Sequence, residues 1–177
     1  MLIRTAALED EDSLRDVYRA AFAADQWEPI AALAVDLLRE TTVPEVIKLV
    51  AEQDGRIIGH VAFSPVSSAS TGKPLGYILA PLAVEKKKKK SGVGSKLVHE
   101  GLQQITDSAG GIVFVYGDPN YYGRFGFVPV SPEQHQPPFP LEFPDGWNAW
   151  DSQTSQPPAS DSGPIRCVES LNKPELW

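Results

Sequence analysis

Pro81-Leu82-Ala83-Val84-Glu85-Lys86-Lys87-Lys88-Lys89-Lys90-Ser91-Gly92-Val93-Gly94-Ser95-Lys96-Leu97 is the stretch on which the fold turns. An apolar strand runs into a basic, glycine-containing loop, and the loop opens a helix. The helix's buried face reads Val93, Leu97, Val98, Gly101, Leu102 and Ile105, at helical spacing over residues 91–109. Such a junction leaves unpaired backbone N–H groups at a helix amino terminus, where donors and dipole together favour an anion such as a pyrophosphate. Gly92 and Gly94 remove the Cβ atoms that would stand between backbone and phosphate. Two well-known phosphate loops are excluded. A P-loop needs a glycine five residues before the glycine that precedes lysine, and none is there. The dinucleotide fingerprint needs a third glycine where Leu97 stands.

Upstream of this stretch, Leu2-Ile3-Arg4 reads as a short strand. Leu14, Val17, Tyr18, Ala21 and Phe22 then mark one face of a helix near 11–23, with acidic residues from Glu9 to Asp12 at its positive end. A second helix carries Ile30, Leu33, Ala34, Leu37 and Leu38, with Pro29 in its first turn. Two β-rich runs, Val46–Glu52 and Ile57–Phe63, flank Asp54-Gly55, which is a hairpin signal. Leu75–Val84 is a further apolar run that Pro81 is expected to break. Downstream, Gly110-Gly111 ends the long helix and Ile112–Tyr116 is a strand. The predicted order is β, α, α, β, β, β, α, β, and Ile165–Val168 is a candidate closing strand.

Composition sets outer bounds. The 177 residues, 42% hydrophobic and 22% charged, suit one α/β domain with a real core. The net charge of −7 opposes non-specific binding to nucleic acid, although five of the sixteen basic residues stand together at Lys86–Lys90. The apolar runs are too short to span a bilayer, so no membrane partner is expected. The single cysteine, Cys167, fits a reducing, cytoplasmic compartment. No His, Cys or carboxylate group has metal-ligand spacing, so no metal is expected.

A second element follows the Ile112–Tyr116 strand: Tyr121-Tyr122-Gly123-Arg124-Phe125-Gly126-Phe127. Lys89-Lys90-Ser91-Gly92-Val93-Gly94 resembles the acetyl-CoA loop Gln/Arg-x-x-Gly-x-Gly/Ala of the GNAT superfamily, with lysine at the opening position. The second element resembles that superfamily's Tyr-x-x-x-Gly-Phe signature, in register at Tyr122. Glycine pairs that start helices are common, so the first element alone is weak. The two in this order are far more specific. The lead-in Leu79–Val84 and the run Gly59–Pro65 are similar to one bacterial subgroup of N-acetyltransferases, and the resemblance covers roughly residues 1–130.

The resemblance implies a mixed α/β fold with a central, mostly antiparallel sheet flanked by helices. It implies acetyl-CoA as cosubstrate and an amine-bearing acceptor, a small molecule or a protein amine, attacked directly in a ternary complex. The cofactor-binding set it implies is Leu82, Ala83 and Val84, through their backbone, with Lys89, Lys90, Ser91, Gly92, Val93, Gly94 and Ser95 around the phosphates. Tyr122 is the implied general acid toward the thiolate of CoA, against a plain packing role. Glu52 and Glu85 are candidates for the general base, and Asp25 and Glu28 for holding a cationic acceptor, though all four are ordinary surface carboxylates by type. His60 and His99 are expected to be packed or surface imidazoles. Rival readings are a non-catalytic acyl-CoA-binding module and a transferase for a longer acyl chain. A homodimer is compatible with the sequence.

Residues 131–177 carry no family pattern and are rich in Pro, Gln, Ser and Asp. Phe139, Leu141, Phe143, Trp147 and Trp150 are too many large apolar groups for a solvated tail. Two expectations stand side by side for residues 131–164: a segment that packs across the acceptor side and helps select the amine, or a structural flap covering the sheet edge, in either case without forming a central strand.

Overall fold

The computed structural model describes residues 1–108, 110–154 and 163–177. Contacts group these into two compact units, Met1–Phe63 with Ala80–Gly101, and Ser64–Leu79 with Leu102–Trp177. Two strands and one helix run from one unit into the other.

The first unit opens with β1 (Leu2–Thr5), α1 (Glu11–Ala21), α2 (Trp27–Arg39) and β2 (Ile47–Gln53). It then takes the first part of β3 (Arg56–Ser68), the end of β4 (Pro74–Val84) and the start of α3 (Val93–Asp107). β1 pairs antiparallel with β2, and β2 with β3, from Ile47 opposite Phe63 to Gln53 opposite Arg56. The turn between β2 and β3 is the one its residues favour, because Asp54 and Gly55 both take positive φ, 53° and 73°. α1 stops at Ala21, two residues short of the predicted end, because Phe22 turns to an extended backbone. Phe22 still packs on the core cluster of Leu14, Val17, Tyr18, Ala31, Ala34, Leu38 and Val50. Fully burying a side chain of this kind stabilises the fold by about 1.5–3 kcal/mol. α3 seats closely on β3: a Cβ on Gly101 would meet the Phe63 ring at 2.1 Å, and one on Gly59 would meet Val93 at 3.0 Å.

The second unit holds the end of β3, the start of β4, β5 (Ile112–Tyr116), α4 (Pro119–Tyr122), β6 (Val128–Pro129), β7 (His135–Gln136), β8 (Trp147–Asp151) and β9 (Gly163–Arg166). β4 and β5 run parallel from Gly76 opposite Ile112 to Ile78 opposite Phe114, where their ladder ends. β8 lies between β5 and β6, antiparallel to both, and β9 pairs with the end of β3.

Two expectations are corrected here. Pro81 does not break β4, which runs through to Val84. The proline falls beyond the last β4–β5 pair, where its missing N–H removes no bond of that ladder. Nor do prolines keep the Trp147–Trp150 island out of the sheet: it is β8, with a strand on each side, and Trp147 is fully buried. The prolines flank this island and do not interrupt it, so every residue of β8 keeps its N–H. The predicted helix over 91–109 is observed as Val93–Asp107, and Ala109 lies outside the described residues, as do residues 155–162 of the 131–164 segment.

Candidate active site

In the first unit, the basic run forms a tight turn. Lys88 N–H donates to Glu85 O at 2.8 Å, and Ser91 Oγ donates to Lys88 O at 2.6 Å. Lys90 and Gly92 both take left-handed backbone, at φ 65° and 83°, so the chain reverses twice around Ser91 before α3 begins. The first bond of the helix runs from Lys96 N–H to Gly92 O at 3.0 Å. The N–H groups of Val93, Gly94 and Ser95 therefore precede the helical ladder and are the donors that an anion would use. Successive N–H groups in such a reversal form an anion-binding concavity.

The five lysines divide by task. Lys86 Nζ donates to Phe22 O at 3.1 Å and Lys88 Nζ to Gln53 Oε1 at 3.2 Å, so these two tie the turn to its own unit. Lys87, Lys89 and Lys90 are exposed. Of the strand residues before the loop, Ala83 is buried and Leu82 and Val84 are half-buried, on the part of β4 that continues past the β5 ladder.

Neither candidate base in this unit stands apart. Glu52 is ion-paired with Arg4 at 2.8 Å and Glu85 with Arg56 at 3.2 Å. Arg4 also holds Asp10 through two bonds, at 2.7 and 2.9 Å, and this guanidinium keeps the Asp10 carboxyl below its ordinary range. Asp25 and Glu28 are exposed. His60 is fully buried, with Nδ1 2.8 Å from the Tyr18 hydroxyl, and burial pushes its pKa down to about 3 despite the charge of Asp10. It is a neutral core imidazole, and its Nε2 has no hydrogen-bond partner among the described residues.

In the second unit, Asp118 caps α4 by accepting from Asn120 N–H at 2.9 Å, with Pro119 in the first turn. This short helix delivers Tyr122 beside Gly117, where a Cβ would sit 2.6 Å from the tyrosine ring. Gly126, at φ 87°, then turns the chain toward β6. Tyr122 meets Tyr121 and Phe127 edge-on, at centroid distances of 5.0 and 5.8 Å. Burial, helped by Tyr121, pushes the Tyr122 phenol well above the ordinary tyrosine range. Among the described residues nothing hydrogen-bonds its hydroxyl.

Beside Gly117 opens a cavity of about 560 Å³, built from the end of β5, the approach to β8 and residues 175–177. Sequence reasoning missed it, since its parts are far apart in the chain. Asp118-Pro119 was the one legible signal, a cap followed by a first-turn proline. Among the described residues no His, Cys, Asp or Glu group is arranged to hold a metal ion, and no helix is long and apolar enough to cross a membrane.

The family model of an acetyltransferase (GNAT) domain matches residues 45–129, which spans the hairpin, the phosphate-type loop and the tyrosine element. The uncharacterized N-acetyltransferase YjhQ of Escherichia coli K12 is 32% identical over 164 residues, 90% of this chain and 88% of that protein. The chain belongs to the GNAT family of N-acetyltransferases. It is accordingly an acyltransferase. The crystal structure of the E. coli GNAT enzyme YhbS in complex with CoA superimposes on this acetyltransferase with a TM-score of 0.77, at 29% identity, covering 97% of this chain and 92% of that one. A Brucella melitensis GNAT acetyltransferase in complex with acetyl-CoA gives 0.70 at 28% identity, covering 96% and 97%.

Proposed function

We propose that this acetyltransferase moves the acetyl group of acetyl-CoA directly to a primary amine while both substrates are bound. The observation that carries the reading is the start of α3, where Val93, Gly94 and Ser95 present N–H groups ahead of the first helical bond. Acetyl-CoA would supply an acyl carbon carrying a thiolate leaving group.

Val93, Gly94 and Ser95 would hold the pyrophosphate through backbone donors, with Ser91 and Gly92 shaping the turn ahead of them, and Lys89 and Lys90 would offset phosphate charge as exposed point charges. Leu82, Ala83 and Val84 would offer backbone N–H and C=O groups to the pantetheine arm, with one N–H directed at the thioester oxygen as charge develops there. Tyr122 would donate to the departing sulfur. A phenol raised well above its ordinary range keeps its proton at any working pH, so the hydroxyl is present in its donor form as negative charge grows on sulfur. Cys167 would not act as a covalent carrier, because burial pushes its thiol up to about 12 and the nucleophilic thiolate is scarce. The same single, half-buried cysteine suits a reducing cytoplasm.

Thiol release from acetyl-CoA, measured across an amine panel, tests the reaction. Initial rates should give intersecting double-reciprocal lines, and parallel lines would establish an acyl-enzyme instead. Tyr122→Phe should lower kcat roughly 10²-fold and leave the acetyl-CoA thermal shift intact. Retention of most of kcat under chemistry-limited conditions would remove Tyr122 from the mechanism.

A further inference from the structure

The cavity beside Gly117 lies wholly in the second unit and has a definite chemistry. Tyr116, Phe143 and Trp177 give it aromatic walls, and its charged groups are Asp118, Glu142, Asp145 and Glu175. Among the described residues no Lys, Arg or His lines it. Its walls are fixed by the backbone: Gly117 N–H donates to Gly146 O at 2.9 Å, and Phe143 N–H donates to the Tyr116 hydroxyl at 2.9 Å. Asn148, fully buried, donates to both Gly146 O and Gly117 O, at 2.8 and 3.3 Å. Its Oδ1, on the same amide, has no partner among the described residues, and Asn148 itself lies behind the lining rather than in it. On its other side Gly117 bears directly on the Tyr122 ring.

Four carboxylates without a cation repel one another, and aromatic faces attract ammonium groups. A volume of about 560 Å³ accepts a small linear molecule. An anionic ligand would meet only like charge. We infer that the cavity takes the acceptor, and that the acceptor is a linear di- or polyamine. One nitrogen is released toward the chemistry, and at least one further ammonium stays among the carboxylates and rings. This rests on the acetyl-transfer reading above. In that transfer the N–C bond forms as the C–S bond breaks; the acceptor ammonium gives up two protons in all, one ending on sulfur and one in solvent.

1,5-Diaminopentane and pentylamine differ by one ammonium and make a matched pair of probes. The parent should favour the diamine by about tenfold in kcat/KM, an advantage that shrinks in high salt. Glu142→Gln, Asp145→Asn and Glu175→Gln combined should bring that ratio close to one. All three side chains are exposed, so the melting temperature should hold, and Asp118 is left intact because it caps α4. A parent ratio near one, or a ratio unchanged in the folded triple variant, overturns the inference.

Calorimetric titration of 1,5-diaminopentane without acetyl-CoA reads the cavity independently of turnover. If no amine at all is acetylated, the transfer reading fails and calorimetry alone decides the cavity. Binding by the parent that the triple variant loses upholds it; equal or absent binding overturns it.

Discussion

Trp147→Ala discriminates between two roles for the C-terminal quarter. From composition, this tryptophan belongs either to a segment that selects the amine, so that its removal changes amine choice without loss of stability, or to a structural flap, so that only stability falls. Its packing favours the structural role. Trp147 is 0% exposed and stacks on Phe114 at 5.3 Å with the rings 5° from parallel. It also meets Trp177 at 6.0 Å, and its indole N–H donates to His135 O at 2.8 Å. Deleting a buried Trp side chain costs about 3–5 kcal/mol through lost transfer energy and the cavity left behind. Leaving the His135 carbonyl without its donor adds about 1 kcal/mol. At roughly 2–4 °C per kcal/mol for a chain of this size, the melting temperature should fall by about 8–24 °C. Differential scanning calorimetry and urea unfolding check this. Trp147→Phe retains the stack and loses the N–H bond, so it should cost only about 1–2 kcal/mol and keeps the test readable if the alanine variant fails to fold. A melting temperature within 3 °C of the parent for Trp147→Ala, together with altered amine preference, would refute the core assignment.

Gly94→Glu places bulk and negative charge at the start of α3. It should abolish the stabilisation by acetyl-CoA, which for the parent is about 2.7 kcal/mol at a hundredfold excess over Kd; an unchanged thermal shift in a folded variant would discard the loop assignment. Replacing Lys86–Lys90 with Ser and Gln should raise KM for acetyl-CoA and flatten its salt dependence while kcat at saturation survives, as steady-state kinetics at several ionic strengths will report. The replacement also removes the Lys86 and Lys88 anchors, so a small fall in melting temperature should accompany it. Asp10 has a folded pKa below its unfolded value, so its pairing with Arg4 contributes stability above the ordinary carboxylate pKa and loses it as pH falls through the depressed one. Asp10→Asn should therefore be less stable than the parent at neutral pH, with the difference closing in acid; a gap that is constant across that range counts against the linkage.

The chain's local chemistry fixed a good deal by itself. The Asp54-Gly55 turn, the amphipathic faces of α1 and α2, and the strand–loop–helix junction at Pro81–Leu97 are each written within a few consecutive residues. Periodicity and positive-φ preference act over that range, so these features were legible. The spacing of Gly92 and Gly94 against Tyr122 and Gly126 was legible as a family pattern for the same reason, since each half is a short local turn. What the sequence did not reveal is which residues meet across long separations. Trp147 reads as a loop aromatic until β8 is seen inserted between β5 and β6, because strand neighbours in a sheet are chosen by pairing and burial far along the chain. Glu52 and Glu85 read as free carboxylates until Arg4 and Arg56 are seen opposite them. The cavity at Gly117 draws on residues from 116 to 177, and its charge excess arises only when three separate segments converge. Local preference sets the elements; burial and pairing across the sheet decide which side chains are spent on the core and which are left facing a ligand.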